Sequence, residues 1–596
     1  MVQLLLRMII QGVLAAMNEK EAKQIAFEKL SKIDNVRIVN HAEYKKLGFN
    51  PVYDLWEIIT EISVYDNLYP ITIYIYFSTT FPIEIPKVYV SVDTFAKLKY
   101  IPHLDNNRLV CTFDNELIKV NPNEPFGIIN ECIARAKRIL VDGLQRTNLN
   151  DFITEFKAYW EETYDHESKP KKILSLIDIL NIDADLKLIC LESSLMGFSY
   201  VLHKSDNTSY IFKDFLKDYN LKYKEVNVFY LYNFPLFEPP FNYTNRNILD
   251  FVKAYNSSQF QEFNLFIRRN EYPKLVITKK EIANKDFIFG WFHRFLSTNR
   301  KGFRPGSLSP LIAFTTFQSI DKVERIFSET FTSDRLENRT SGDITHRKHS
   351  FAIAGLGSIG SNLVFFLNSF ERPKFCFIDD DLLKIENINR HFLGFSSIGN
   401  FKTKALADWL RTSNPLQEII SQEKSIIEVV DSEPDCINSF NYLFSCIGNF
   451  NIENWIFESL KTKTIKIPVF FIWVEPYLVG GHCLYIHPDD LTFEDYFEDG
   501  YFKNNIIPKD EYTKPGLNFA KREAGCQTTF TPYSSINVIS FLSQLFPKIS
   551  SIIETNSQIS TSFTWFGYLE KLNQLGVTKS KFADNIETGQ LIQTTF

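Results

Sequence analysis

The sequence predicts a multidomain α/β and α+β protein. It divides into an N-terminal α+β domain over residues 17–165, a middle linker domain over 166–330, and a C-terminal doubly wound, Rossmann-like α/β domain over 331–596. Three observations predict this. A chain of 596 residues exceeds what one hydrophobic core organises, so about three or four domains are expected. Strict apolar alternation in ITIYIYF (71–77) and KVYVSV (87–92) marks half-buried strands near the N-terminus. From residue 331 onward, strand–turn–helix patterns repeat and glycine punctuates the apolar runs, as in parallel strands buried on both faces.

Taken in order, the first 17 residues are apolar but interrupted by Arg7 and Gln11, and the helical NEKEAKQIAFEKL follows at once. They read as an amphipathic helix or an over-called start upstream of Met17 rather than a cleaved signal. Pro82 and Pro86 between the two alternating strands predict a hairpin turn, Tyr100 to Pro125 predicts a loop, and IINECIARAKRIL (128–140) predicts a helix. Between 166 and 330, LKLICLES and VNVFYLYNF read as strands and KKILSLIDIL as a helix, with no catalytic constellation. Arg304 in GFRPG reads as a solvated loop arginine. The C-terminal domain gives the strands SFAIA and KFCFI, the helix TKALADWLRT and the strand YLFSCIGN.

Composition excludes several classes of function. Hydrophobic content of 44% and charged content of 23% are ordinary for a globular chain, and a net charge of −6 supplies no basic field for nucleic acid. The 55 phenylalanines read as codon bias of an AT-rich genome. Eight cysteines without a CxxC pair argue against a disulfide scaffold or a structural zinc site, and fit a reducing cytoplasm. No run of 18 apolar residues occurs, so no membrane span is expected.

The chemistry begins at GLGSIG. Gly355, Gly357 and Gly360 follow a strand and open a helix. The first glycine makes the turn, the second admits phosphate to the backbone, the third lets helix and strand pack, and the helix N-terminus faces the anion. Asp379, Asp380 and Asp381 end the next strand, where a carboxylate can hold ribose hydroxyls. These features alone suit an NAD-dependent dehydrogenase equally well. Asn387, Arg390 and Lys402 further on shift the balance: hydride transfer builds no charge on phosphate, whereas attack of a carboxylate on an α-phosphate does, and fixed cations stabilise it. As a lone pair, Arg390 and Lys402 also fit a solvated helix face.

The ordered elements GxGxxG, D-x-D, N-x-x-R and G-x-x-K resemble the ThiF/MoeB-type adenylating fold shared with ubiquitin-activating enzymes. The resemblance implies ATP with Mg²⁺, ribose contacts from Asp379 and Asp381, and phosphate contacts from Asn387, Arg390 and Lys402. It also implies nucleotide-reaching arginines before the first strand, for which Arg335 and Arg339 stand as well as ordinary surface arginines would. One departure is plain: the family's magnesium-binding Asp in T-D-N corresponds to Gly448 in Cys446-Ile447-Gly448-Asn449, so the metal ligands stay unknown.

Two cysteines stand in loops, while Cys132, Cys190, Cys376, Cys436, Cys446 and Cys483 read as small core hydrophobes. Cys526, in REAGCQTTFTPYSS near Lys521 and Arg522 and ahead of an apolar helical run, has a setting that lowers a thiol pKa. The segment resembles the catalytic-cysteine segment of bacterial ubiquitin-activating homologues. Cys111, in IPHLDNNRLVCTFD, resembles the active cysteine of the ubiquitin-conjugating fold. There Ile101-Pro102-His103 takes the place of the HPN motif, and His103 stands where an oxyanion-stabilising Asn is expected.

Together the two halves resemble the fused activating–conjugating enzymes of bacterial CBASS anti-phage systems. The resemblance implies a homodimer joined through the adenylation domain, and a partner that is a cGAS/DncV-like nucleotidyltransferase or another ubiquitin-like protein. The partner's C-terminal carboxylate is adenylated, passed to Cys526, then to Cys111, and finally to an amine of an acceptor protein. A sulfur-carrier-protein adenylyltransferase, an NAD-dependent Rossmann oxidoreductase and a non-catalytic scaffold are the alternatives.

Overall fold

The computed structural model describes residues 18–50, 53–98, 100–113, 118–161, 169–177, 185–232, 234, 241–282, 285–304, 306–340, 348–370, 373–514, 519, 521–522 and 529–595. The chain forms two compact units. One comprises Met1–Ser205 with Lys222–Thr332, the other Asp206–Leu221 with Ser333–Phe596.

The first unit begins with helix α1 (Glu19–Leu30), capped by Asn18, whose side chain accepts the Glu21 N–H at 2.9 Å. A five-stranded antiparallel sheet follows in sequential order: β1 (Asn35–Ile38), β2 (Leu55–Val64), β3 (Asn67–Tyr76), β4 (Lys87–Val90) and β5 (Leu109–Val110). Tyr65 and Asp66, both at positive φ, form the two-residue turn between β2 and β3, the backbone twist such hairpins need. The long helix α2 (Pro125–Gln145) packs beside α1. Ala22, Ala26 and Leu30 of α1 meet Ile129, Ile133, Ala136 and Leu140 of α2 and the sheet residues Ile58, Ile73 and Ile75 in one core. The alternation read from 71–77 is therefore a real half-buried face. The second strand ends earlier than its pattern suggests, because Val92 already starts a helical turn.

Two short helices, α3 (Leu149–Thr154) and α4 (Phe156–Glu161), lead into the middle sheet. Phe156, Tyr159 and Trp160 are buried with Phe241, Phe289 and Trp291. Trp160 Nε1 donates to the Ile326 carbonyl at 2.9 Å, and the buried Arg325 guanidinium donates to the Trp160 carbonyl at 3.0 Å. That sheet contains β6 (Lys171–Ser175), β7 (Leu186–Leu195), β8 (Phe198–Lys204), β9 (Tyr223–Asn227), β10 (Phe229–Tyr230), β11 (Lys274–Ile282), β12 (Lys285–His293) and β13 (Glu324–Thr330). Their order is β10-β11-β12-β13-β6-β8-β7-β9, with parallel and antiparallel pairs mixed. The helix expected from KKILSLIDIL is not there: its first half is β6. Parallel partners on both sides bury Ile173 completely, and a short apolar run of this kind does not separate helix from strand by period.

The second unit is built on β14 (Ser350–Ala354), β15 (Lys374–Ile378), β16 (Ile419–Gln422), β17 (Tyr442–Ser445), β18 (Val469–Val474) and β19 (Gly480–Ile486). Small antiparallel pairs follow, β20 (Phe497–Glu498) with β21 (Tyr501–Phe502) and β22 (Lys521–Arg522) with β23 (Thr529–Phe530). The main sheet then closes with β24 (Thr561–Phe566) and β25 (Leu591–Thr594). Strands run β16-β15-β14-β17-β18 in parallel, then β19-β24-β25 antiparallel. The parallel part has the doubly wound, Rossmann-like order, with its switch point between β14 and β17. Helices α5 (Ser358–Leu367), α6 (Lys402–Ser413), α7 (Phe450–Lys461) and α8 (Ser535–Thr555) cover it. By length and composition α8 could cross a membrane, but Val538, Phe541, Leu542, Leu545 and Ile549 are buried in the core beside the sheet.

Candidate functional sites

The glycine-rich turn lies at the switch point of the C-terminal sheet, where an open parallel sheet leaves a crevice. Gly355 takes φ +85°, and a side chain there would press on the Cys446 carbonyl group at 2.9–3.0 Å. At Gly360 a Cβ would lie 2.0 Å from the Gly355 carbonyl oxygen, so only glycine lets α5 sit against the turn. Gly357, the N-cap of α5, faces open space, as a residue approached by a ligand must.

The turn is held through both backbone polar groups of one residue, Leu356. Leu356 N–H donates to Asp379 Oδ2 at 2.6 Å, and Asp379 Oδ1 accepts the Asp381 N–H at 2.9 Å. The Leu356 carbonyl lies 2.9 Å from His391 Nε2, and His391 Nδ1 accepts the Leu393 N–H at 3.0 Å. Nε2 therefore carries the proton and donates. Burial, with Lys402 nearby, pushes this imidazole down to about 4, so it stays neutral. Lys402, buried at the first position of α6, places Nζ 2.7 Å from Asp381 Oδ2 and 3.4 Å from Asp379 Oδ1.

Beside Gly357 lies a cavity of about 460 Å³, lined by Ser358, Asn387, Arg390, Gly448, Trp473 and Tyr533 among others. A larger groove of about 1180 Å³ adjoins it and shares Asn387, Arg390, Thr531 and Tyr533. The Arg390 guanidinium stands 5.7 Å from the Tyr533 ring centre, and Tyr533 Oη lies 2.7 Å from Ser358 Oγ. The structure thus gathers Gly357, Asn387 and Arg390 on one cavity wall. Asp379, Asp381 and Lys402 form a cluster at the end of β15. Arg335 and Arg339 lie on the short helix Ser333–Thr340 and line neither cavity. The sequence reading missed His391 and Tyr533, whose value comes from where they meet the turn.

No side chain at 448 can bind a metal, and among the described residues no group of three His, Cys, Asp or Glu could hold one. Behind Gly448, however, Glu453 on α7 accepts the Gly448 N–H, and its Oε1 is buried without a hydrogen-bond partner.

In the N-terminal domain, the backbones of His103 and Cys111 pair across a small hairpin. Cys111 N–H donates to the His103 carbonyl at 2.8 Å, and Asp105 Oδ1 accepts the Leu109 N–H at 2.7 Å to close the turn. This pairing explains the eight-residue spacing. Cys111 is exposed. His103 takes φ +65°, uncommon for a residue with a Cβ, and its ring meets Glu155 and Asp151. The other described cysteines behave as core residues: burial pushes the Cys132 thiol up to about 12 and Cys190 up to about 11. Cys376 and Cys446 are buried as expected, and Cys436 is half-buried with Sγ 3.8 Å from that of Cys376. Cys526 lies outside the described residues.

A glycine turn at the switch point of a parallel sheet defines a Rossmann-like nucleotide-binding class of domain. Comparison with known families makes this specific. Residues 341–529 match the ThiF family and residues 52–168 match Prokaryotic E2 family B. The chain therefore fuses an E1-like ThiF domain to an E2-like domain. Among characterised relatives, ubiquitin-like modifier-activating enzyme 5 of Aedes aegypti is 24% identical over 190 residues, 29% of this chain. The match spans 47% of that relative, so the chain covers about half its length. Among solved structures, selenomethionine PaaA aligns with 16% identity and a TM-score of 0.26, over 37% of this chain and 60% of that one. E. coli tRNA N6-threonylcarbamoyladenosine dehydratase TcdA, in complex with AMP, aligns with 16% identity and a TM-score of 0.19, over 22% of this chain and 55% of that one.

Proposed function

We propose that this protein activates the C-terminal carboxylate of a ubiquitin-like partner with ATP and conjugates it to an amine. The observation that carries the proposal is the shared wall of the two cavities: Asn387 and Arg390 line both the space beside the glycine turn and the adjoining groove. A nucleotide on the turn and a polypeptide tail in the groove would meet at Arg390. There the carboxylate oxygen attacks the α-phosphorus and pyrophosphate leaves; Arg390 and Asn387 stabilise the charge that develops. Lys402 contributes once its contact with Asp381 is shared with phosphate.

The Cys526 thiolate then displaces AMP from the acyl adenylate, and Cys111 displaces Cys526 by thioester exchange. An amine finally displaces Cys111 and loses a proton to solvent. A carboxylate reacts with neither thiol nor amine unaided, and each thioester divides one hard step into easier ones. In this reading the partner is a cGAS/DncV-like nucleotidyltransferase of an anti-phage system, the protein acts in the cytoplasm, and its adenylation domains pair as a homodimer. The exposed Cys111 across a hairpin from His103 favours this over a sulfur-carrier adenylyltransferase, which leaves the N-terminal domain without a task.

Intact-protein mass spectrometry after incubation with ATP and a candidate partner tests it. An adduct that appears only with ATP and is released by thiol supports the proposal. A chain that exchanges no pyrophosphate with any such partner, or that reduces or oxidises NAD(H), overturns it.

A further inference from the structure

The strongest unassigned arrangement surrounds His103. Its Nδ1 lies 2.8 Å from Glu155 Oε1, and its own backbone N–H donates to Glu155 Oε2 at 2.9 Å. Glu155 Oε2 also accepts the Tyr159 hydroxyl at 3.0 Å. One carboxylate thus fixes both the backbone and the ring of the residue across the hairpin from Cys111. The second ring nitrogen, Nε2, is 3.4 Å from Asp151 Oδ2, a looser contact at a side chain 41% exposed. Glu155 is itself braced, because the next residues, Phe156, Tyr159 and Trp160, are buried in the core of the middle sheet.

We propose that Glu155 is the positioning residue of the Cys111 site, holding His103 as an imidazolium whose Nε2–H serves as the hydrogen-bond donor to the acyl oxygen on Cys111. This rests on the reading of Cys111 as the conjugating cysteine. The amine nitrogen attacks the thioester carbon, and the carbonyl pair moves to oxygen, which accepts Nε2–H. When the carbonyl re-forms, the carbon–sulfur bond breaks, the thiolate leaves with its pair, and the ammonium proton passes to water. A cation at this place does what an amide donor does with added charge. It also makes the donor titratable, which an amide is not.

The groups that face the ring are Glu155 and Asp151, with the Tyr159 hydroxyl behind Glu155. The two carboxylates hold the imidazole above its ordinary value, Glu155 contributing most. A raised value keeps the donor charged to higher pH, so the rate of acyl transfer falls as pH rises through it. Replacing Glu155 with a neutral residue lowers that value and moves the alkaline edge of the rate downward.

The test loads Cys111 directly, in the full chain carrying Cys526→Ala, with acetyl from S-phenyl thioacetate. Release to hydroxylamine is followed by mass spectrometry across the histidine titration range. The expected result is that Glu155→Gln moves the alkaline edge to lower pH, while Glu155→Asp retains it. Asp151→Asn, on an exposed part of its helix, moves the edge in the same direction by less. If Glu155→Gln keeps the edge of the parent chain, or slows release equally at every pH, the inference fails and Glu155 only braces the loop. If the parent chain releases acetyl no faster than a cysteine thioester in a short peptide, the conjugating role of Cys111 fails with it.

Discussion

Lys402 Nζ lies 2.7 Å from Asp381 Oδ2, so the cation expected at the phosphates is docked on the aspartates at the end of β15. Asp379 beside it is occupied by two backbone N–H groups of the glycine turn and the following loop. Lys402 therefore balances a buried carboxylate, while the half-buried Arg390 lines the cavity without that task.

The two variants should accordingly differ. Arg390→Ala should lower ATP–pyrophosphate exchange on the order of 10²–10³-fold with little change in Tm. Lys402→Ala should lose exchange and also cost about 3 kcal/mol of stability, because it strands the Asp379 charge. Exchange kinetics and thermal melts on both variants check this; near-normal exchange in both removes the adenylation proposal.

Gly360→Ala tests the turn itself. An added Cβ would sit 2.0 Å from the Gly355 carbonyl oxygen, a backbone atom that cannot step aside. The expected outcome is loss of nucleotide binding together with a lower Tm, read by titration with ATP and calorimetry. Gly357→Ala, at a position that faces open space, should spare the fold and weaken nucleotide binding only. Equal melting of the two variants would contradict the packing described for α5.

Glu453 should make stability depend on pH. Burial raises its carboxyl from an ordinary 4.5 to about 7. For a carboxyl raised by folding, the stabilising contribution is complete below 4.5 and is lost as pH rises through about 7. At alkaline pH the ionised group then costs about 3 kcal/mol. Glu453→Gln should raise Tm above pH 7 and be nearly neutral below 4.5. A melt series across that range decides it, and a uniform effect at all pH values would show that the carboxyl is not buried as described.

The two-cysteine relay predicts an order of events. Cys526→Ala should keep pyrophosphate exchange, since adenylation needs no thiol, and lose every thioester. Cys111→Ala should keep a thiol-sensitive adduct at Cys526 and lose the amine-linked product. Non-reducing gels with the cognate partner read both outcomes; wild-type product from Cys111→Ala would make the E2-like domain a binding module.

The sequence by itself determined the elements whose signal is local. Glycine at 355 and 360 reports a turn that admits no side chain there, and Gly357 between them leaves the turn open. Alternation at 71–77 reports a half-buried strand. These are legible because each depends on neighbours within a few residues. The tertiary structure alone decided the rest. KKILSLIDIL is apolar in a way that suits helix or strand, and only its parallel partners on both sides make Lys171–Ser175 a strand. His391 and Tyr533 have no motif of their own; they matter because folding places one on the Leu356 carbonyl and the other beside Ser358 and Arg390. Glu155 stands 52 residues from His103, and it reaches the ring because aromatic burial of the following helix α4 against the middle sheet holds the turn that bears it. Residue type and local spacing encode which chemistry is available. Which groups meet, and with what charge, depends on packing free energy shared over the whole fold.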